Sequence, residues 1–157
     1  MLKKKDLMLL TLLRQDCRQS VSELARRVKM PVSTVFDRLK KQNNAYINKT
    51  VALLNFPMLG FNARAHIMLK AKDKDALTNH LLKNPNINTV YKINNGFDFI
   101  IECIFHNIKE LEDFVEQLEI RSLIKNKDVH YIIEDIKKET FLSDLNLLDM
   151  LVNNVKV

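Results

Sequence analysis

A short stretch near the N-terminus combines hydroxyl and cationic side chains of the kind that bind polyanions. Residues 33–41 read Ser-Thr-Val-Phe-Asp-Arg-Leu-Lys-Lys, with two hydroxyls at the start and three cations toward the end. Hydroxyl and guanidinium groups hydrogen-bond base edges, and Lys and Arg neutralise phosphates. The stretch therefore suggests nucleic-acid contact, provided that these side chains share one exposed face.

The charge distribution supports the same chemistry. Residues 1–50 contain twelve Lys or Arg against four Asp or Glu, a formal charge of +8, whereas residues 51–157 contain thirteen against fifteen, or −2. A basic N-terminal third on a nearly neutral remainder predicts a polyanion-binding head on a body with another role. A solvated basic surface without a partner is the alternative that charge alone leaves open.

Three helices are predicted in the basic segment. The first spans Asp6–Gln15, with Asp6 as its cap. The second follows a capping box in which Ser20 can accept from a backbone amide and Glu23 can reach back. The third spans Val32–Lys41 and follows a proline suited to a first helical turn.

A hairpin is predicted after the third helix. Tyr46-Ile47 and Thr50–Leu54 have the composition of strands, with Asn48-Lys49 as a two-residue turn. Three helices and a hairpin in a basic segment are typical of a winged helix-turn-helix that binds double-stranded DNA. A three-helix protein–protein module is the alternative.

The apolar stripe of the third helix predicts which side chains face the duplex. With Val32, Val35 and Leu39 inward, the helical period sends Asp37 and Arg38 outward. Asp37 could accept from cytosine or pair with a lysine four residues later. The predicted DNA-binding residues are Ser33, Thr34, Asp37, Arg38, Lys40, Lys41, Lys49, Arg26, Arg27 and Arg18.

The second half of the chain alternates strand and helix in the order βαββαβ. This order predicts a ferredoxin-like antiparallel sheet with both helices on one face. The predicted strands are Phe61–Ala71, Asn88–Asn94, Asp98–Phe105 and Asp128–Lys137, and the predicted helices are Asp73–Leu82 and one capped by Asn107.

The face of this sheet that the helices leave open is also apolar. Ile100 and Ile104 point to it from the third strand, and Ile132 and Ile136 from the fourth. An apolar face needs a covering layer, and a second copy of the chain is the simplest one. We therefore expect a homodimer.

The predicted fold class is α+β, in four regions. Residues 1–50 form the winged helix-turn-helix, residues 51–60 a hinge strand and linker, residues 61–137 the ferredoxin-like domain, and residues 138–157 a C-terminal extension. Within the extension, Ser143–Val155 predicts an amphipathic helix that packs on its own domain or takes part in assembly.

Other chemistry is not indicated. Cys17 and Cys103 are far apart and are expected to be buried thiols rather than a metal or disulfide pair. The four histidines lack metal-ligand spacing, and neither a catalytic set nor a cofactor motif is present. No apolar run is long enough for a membrane span and no secretion signal is evident, so a cytoplasmic protein without membrane contact is expected.

The whole pattern resembles the Lrp/AsnC family of prokaryotic transcription regulators over about Asp6–Lys137. The segments that carry the resemblance are Asp16–Val28, Ser33–Leu39, Tyr46-Ile47, Ala52–Asn55, Leu59-Gly60-Phe61 and Gly96-Phe97-Asp98.

The resemblance implies a sequence-specific regulator that forms dimers, and often tetramers or octamers, through the C-terminal domain. It also implies an amino-acid or related effector, with Gly96 and Asp98 matching the family's effector loop. Lys29 stands where the family has a glycine, and a left-handed conformation there costs roughly 1–2 kcal/mol. Gln42 replaces an apolar residue, and Asn43-Asn44-Ala45 makes a short connection.

Two other functions remain open. A weakly specific DNA-organising protein would use the same surfaces. Haem-precursor decarboxylases are similar to the family in both halves, but they need cationic and histidine side chains around a tetrapyrrole. Arg64, His66 and His130 are dispersed in the sequence, so an enzyme is not expected.

Overall fold

The protein is described by a computed structural model that covers residues 3–148 and 150. The chain divides into two compact units, each with its own core. Unit 1 comprises Met1–Ala52 together with Ile136–Val157, and unit 2 comprises Leu53–Asp135. The C-terminal extension therefore belongs to the same unit as the N-terminal helices.

The N-terminal part of unit 1 consists of the helices α1 (Lys4–Gln15), α2 (Val21–Val28) and α3 (Val32–Ala45). Their apolar stripes meet in one buried cluster. Its fully buried members are Leu9, Leu12, Leu24, Ala25, Val28 and Val35. Burial of this cluster holds the helices together, because helices of this length are marginal in isolation.

The caps of unit 1 follow the sequence closely. Ser20 Oγ accepts from the Glu23 amide at 3.2 Å, which is the Ser20 half of the predicted capping box. The predicted Asp6 cap acts from inside the helix, because α1 begins at Lys4 and Asp6 Oδ2 accepts from the Lys3 amide at 3.2 Å. Both bonds satisfy amides that have no partner within their own helix.

The predicted hairpin over residues 46–54 is wrong. Helix α3 continues through Asn43-Asn44-Ala45, which the sequence suggests as a connection, and the Tyr46 amide donates to Gln42 O. Residues 47–55 have no regular secondary structure. Val51 and Leu53 remain exposed, so pairing two short strands here would bury little, and an isolated two-stranded ribbon is marginal in water.

The C-terminal extension lies against α1. Arg14 donates to Glu139 Oε2 and to Phe141 O, both at 2.7 Å, and Gln15 Nε2 donates to Ser143 O at 2.7 Å. A short 3-10 helix, Leu145–Leu147, contacts α1 and is followed by the buried Leu148. Six of the thirteen residues of the predicted helix Ser143–Val155, at positions 149 and 151–155, lie outside the described residues.

Unit 2 contains the predicted βαββαβ order. Its elements are β1 (Ala63–Ala71), α4 (Lys74–Lys83), β2 (Ile87–Lys92), β3 (Phe99–Phe105), α5 (Ile108–Ile120) and β4 (Ile124–Tyr131), with a short 3-10 turn at Pro57–Leu59 before them. The sheet order is β2-β3-β1-β4, with every neighbouring pair antiparallel. The ferredoxin-like fold is therefore confirmed.

One face of this sheet forms the core of unit 2. Ile67 and Ile101 are Cα partners on that face, and Leu77, Leu111 and Leu118 pack there from α4 and α5. The opposite face carries both polar and apolar side chains, which come from the strand residues that alternate with the core residues. They include Arg64, His66, Met68 and Lys70 on β1 and Ile100, Glu102 and Ile104 on β3.

Strand β4 begins and ends earlier than predicted. It runs over Ile124–Tyr131, whereas the apolar run suggests residues 128–137. The last bond to β1 is from the Ile132 amide to Arg64 O, and β1 extends only one residue further, so the edge available for pairing ends there. Ile133 and Ile136 are consequently exposed.

The cysteines differ from each other. Cys103 is buried within the sheet, and burial raises the pKa of its thiol to about 12. Cys17 lies exposed in the turn after α1, so the expectation of a buried thiol is wrong there. Its neighbours in sequence are polar, and the turn keeps the thiol at the surface.

Candidate nucleic-acid interface

The exposed face of α3 carries most of the predicted contact residues. Ser33, Asp37 and Lys40 follow one another at helical spacing and are exposed, and Lys41 lies beside them. Buried Val35 and Gln42 mark the opposite side of the helix. The chain therefore presents a hydroxyl, a carboxylate and a cation along one exposed line, with the hydroxyl near the start of the helix and the cation further along it.

Arg38 does not belong to this face, so its predicted outward placement is wrong. It lies between Val35 and Gln42 on the inner side, and Nη1 donates to Asp6 Oδ1 at 2.7 Å. The exposed fractions of the two side chains are 27% and 18%. The inner side of α3 therefore includes Arg38 as well as Val35 and Gln42, whereas the sequence suggests Val32, Val35 and Leu39.

Asp6 connects the start of α1 to the inner side of α3. Besides the Arg38 pair, its carbonyl oxygen accepts from Gln42 Nε2 at 3.1 Å. Gln42 Oε1 is buried and has no hydrogen-bond partner among the described residues. A polar side chain thus replaces an apolar one at the core edge and helps fix the position of α3 against α1.

Two apolar side chains on α3 are exposed. Val32, which the stripe predicts to face inward, is 49% exposed, and Phe36 is 59% exposed. The core contacts of the helix are instead made by Val35 and Leu39. An inner stripe that runs from Val35 to Gln42 leaves both side chains outside, but that choice of stripe depends on the partners that α1 supplies.

Of the remaining predicted residues, Thr34 lies on α3, Arg26 and Arg27 lie on α2, Arg18 precedes α2 and Lys49 follows α3. Thr34 is half-buried, whereas Arg18, Arg26, Arg27 and Lys49 are exposed. Arg27 donates to the side-chain oxygens of Gln19 at 3.1 Å and Gln15 at 3.3 Å. Arg26 Nη2 lies 3.9 Å from the carboxylate of Glu23. No ion pair joins Asp37 to Lys41 within the described part of the chain.

The turn between α2 and α3 contains the left-handed residue anticipated from the sequence. Lys29 has φ 52° and ψ 61°, and its amide donates to Ala25 O and Arg26 O. Lys5 Nζ donates to Lys29 O at 3.3 Å. The turn that sets the angle between the two helices is therefore formed without glycine, at the cost of backbone strain.

The predicted effector residues lie at the loop between β2 and β3. Gly96 is exposed with φ 99°, and Asn95 precedes it with φ 65°. Asp98, in contrast, is buried and occupied: Lys74 Nζ lies 2.8 Å from Oδ1, and the Ala71 amide donates to Oδ2 at 3.0 Å. The Lys74 hydrogen bond is the largest contribution that lowers the pKa of Asp98 to about 2.

Neither a metal site nor a membrane-spanning helix is found among the described residues. No group of three His, Cys, Asp or Glu side chains within residues 3–148 is arranged to hold a metal ion. Over the same residues, no helix combines the length and apolarity that crossing a bilayer requires.

Known proteins resemble the chain in both units. A family model described as winged helix-turn-helix DNA-binding matches residues 2–41, and one described as the Lrp/AsnC ligand binding domain matches residues 62–142. An uncharacterized HTH-type transcriptional regulator of Pyrococcus horikoshii is 25% identical over 137 residues, covering 85% of this chain and 93% of the relative.

Solved structures share the fold. A transcriptional regulator from Neisseria meningitidis, in complex with L-Met, superposes with a TM-score of 0.81 at 23% identity, covering 88% of this chain and 94% of that one. LrpC of B. subtilis superposes with a TM-score of 0.81 at 20% identity, covering 88% and 99%.

The family match decides between a regulator and an enzyme. The relatives are named transcriptional regulators, not enzymes, which removes the decarboxylase alternative. The helix-turn-helix implies that the chain binds DNA, and the ligand-binding domain suggests modulation by an effector. The chain belongs to the Lrp/AsnC family of transcription regulators.

Proposed function

We propose that the protein is a dimeric, sequence-specific regulator that inserts α3 into the major groove. The observation that carries this proposal is the exposed line of Ser33, Asp37 and Lys40 on the helix that follows the turn. Ser33 and Asp37 on this line read base edges, whereas Lys40, Lys41 and the cations of α2 and its flanks meet phosphates. Because its target is genomic DNA, we place the protein in the cytoplasm of a prokaryotic cell.

The residues proposed to contact DNA are exposed, except for the half-buried Thr34. They are Ser33, Thr34, Asp37, Lys40, Lys41, Lys49, Arg26, Arg27 and Arg18. Arg38 enters the proposal as a positioning residue, since its guanidinium is bonded to Asp6. It orients the helix that carries the contacts.

The test is the salt dependence of duplex binding. Fragments selected by the protein from genomic DNA, and scrambled duplexes of equal composition, are titrated at several salt concentrations. We expect log K to fall with log salt by about 0.9 per phosphate contact, and the selected fragments to bind more tightly. Absence of binding or a flat salt response would overturn DNA binding, and equal affinity for both sets would favour a DNA-organising protein.

Dimerisation is proposed through the open face of the sheet in unit 2. Met68 and Ile100 are Cα partners on this face and are half-buried, so a second copy would complete their burial. Met68→Lys should dissociate the dimer in sedimentation experiments. The matched control is Ile108→Lys at an exposed position that starts α5. Dissociation of both variants, or of neither, would contradict this interface.

An amino-acid effector is proposed at the β2–β3 loop. Gly96 leaves the backbone open there, and Asp98 anchors the loop to Ala71 at the end of β1. L-Met is the first probe, because a structural neighbour is named as an L-Met complex. Calorimetry with L-Met and then the other amino acids should give binding that Gly96→Val abolishes. No heat with any amino acid would remove the effector from the proposal.

A further inference from the structure

We propose that Phe36, assisted by Val32, contacts thymine methyl groups in the major groove and thereby gives the protein a preference for T·A base pairs. The inference rests on the proposed insertion of α3 into duplex DNA. It assigns a specificity role to side chains that no core packing explains.

The first step is the exposure of an apolar pair on a polar helix face. Phe36 and Val32 are four residues apart, so they stand one above the other on the same side of α3. Both are about half exposed or more. The buried cluster of unit 1 includes neither of them, although it includes their neighbour Val35.

The second step is their position relative to the line proposed to read bases. Phe36 follows Ser33 by three residues and precedes Lys40 by four, so its ring borders the polar line. Val32 is the first residue of the helix, and the N-terminal residues of a recognition helix are those that reach base edges. Any groove that accepts Ser33 and Lys40 must also accept Phe36.

The third step is the chemistry of the groove. The thymine C5-methyl is the apolar group that distinguishes base pairs on the major-groove edge. Two side chains four residues apart along a helix are separated by roughly 6 Å, which spans about two base-pair steps. A pair of thymines separated by one base pair therefore matches the spacing of Phe36 and Val32.

The experiment uses duplexes that differ only in this methyl. Fragments selected by the full-length protein are synthesised with thymine or with uracil throughout, because uracil keeps the same hydrogen-bonding edge. We expect the wild-type protein to bind the uracil duplex more weakly, by about fourfold for each methyl that is contacted. Phe36→Ala should bind the thymine duplex more weakly and should lose most of the difference between the two duplexes.

Matched variants separate methyl contact from other effects. Phe141→Ala removes an exposed ring from the C-terminal extension of the same unit and should keep the full thymine-to-uracil ratio. Phe36→Leu should keep part of it. Any effect of uracil on the shape of the duplex is the same for every variant, so it cancels when their thymine-to-uracil affinity ratios are compared. Thermal unfolding confirms that each variant is folded.

The outcomes distinguish this inference from the proposed function. If the wild-type protein binds both duplexes equally, or if Phe36→Ala keeps the full ratio, the methyl contact is overturned while DNA binding stands. Salt-dependent duplex binding that Phe36→Ala leaves unchanged would also overturn it and would point to a protein partner for the ring. If no variant binds any duplex, the proposed function itself fails.

Discussion

Arg38 and Asp6 form an ion pair, 2.7 Å between Nη1 and Oδ1, that joins the inner side of α3 to the first turn of α1. Both side chains are partly buried, so solvent screens the pair less than it would a surface pair. We expect Arg38→Met and Asp6→Asn each to lower the free energy of unfolding by about 1–3 kcal/mol. In a urea double-mutant cycle, the double variant should lose less than the sum of the two. Strictly additive losses would show that the pair contributes nothing.

The same geometry predicts different roles in DNA binding for two neighbouring cations. Lys40 is exposed on the polar line, whereas the Arg38 guanidinium is bonded within the protein. Lys40→Met should reduce the slope of log K against log salt by about 0.9 for each phosphate that the lysine neutralises. Arg38→Met should weaken binding, if at all, without changing the slope. If both variants reduced the slope equally, Arg38 would contact a phosphate as Lys40 does, and its proposed positioning role would be wrong.

Substitution of Lys29 with glycine should stabilise the protein. Its backbone is left-handed at φ 52°, and a side chain there costs about 1 kcal/mol. Lys29→Gly should therefore raise the free energy of unfolding by up to about 1 kcal/mol. Lys40→Gly, at an exposed position within α3, should lower it by about 1 kcal/mol. The stability of unit 1 is measured by hydrogen exchange of the amides in α1–α3. If both variants changed the stability in the same direction, the left-handed conformation of Lys29 would not be a source of strain.

The C-terminal extension should contribute to the stability of unit 1 through one leucine. Leu148 is 2% exposed, whereas its neighbour Leu147 is 49% exposed. Leu148→Ala should destabilise unit 1 by about 2–4 kcal/mol through reduced burial and a residual cavity. Leu147→Ala is the matched control and should stay within about 0.5 kcal/mol of wild type. Faster hydrogen exchange of the α1 amides in Leu148→Ala alone would support this role of Leu148. Similar exchange in Leu148→Ala and Leu147→Ala would contradict it.

Asp98 should give unit 2 a stability that depends on acid pH. Its pKa is lowered to about 2 in the folded chain, from an ordinary value near 3.8, first by the hydrogen bond from Lys74. The charged carboxylate therefore stabilises the fold above about pH 4, and this stability is lost as the pH falls toward 2. Asp98→Asn should be less stable than wild type at neutral pH, and the difference should disappear near pH 2. A difference that is independent of pH would assign the effect to packing.

Much of the architecture could be predicted from local patterns. The βαββαβ order and the Ser20 cap depend on residues within a few positions of each other, or on apolar alternation along one strand. The left-handed Lys29 is instead implied by the family resemblance, because the family has a glycine at that position. The hairpin and the end of β4 could not. Residues 46–54 have the apolar composition of strands, but a two-stranded ribbon there would bury little. At the end of β4, β1 extends only one residue beyond Arg64, so no edge remains with which residues 133–137 could pair.

The sequence by itself determined which residues α3 carries and that one side of it must be polar and cationic. Only the tertiary structure decided which way that helix is turned, because α1 supplies Asp6 as a partner for Arg38 and Gln42. A helix rotates to satisfy the groups it packs against, and those groups lie about thirty residues away in the chain. The rotation leaves Phe36 outside and Arg38 inside, and it depends on a contact that no local pattern contains.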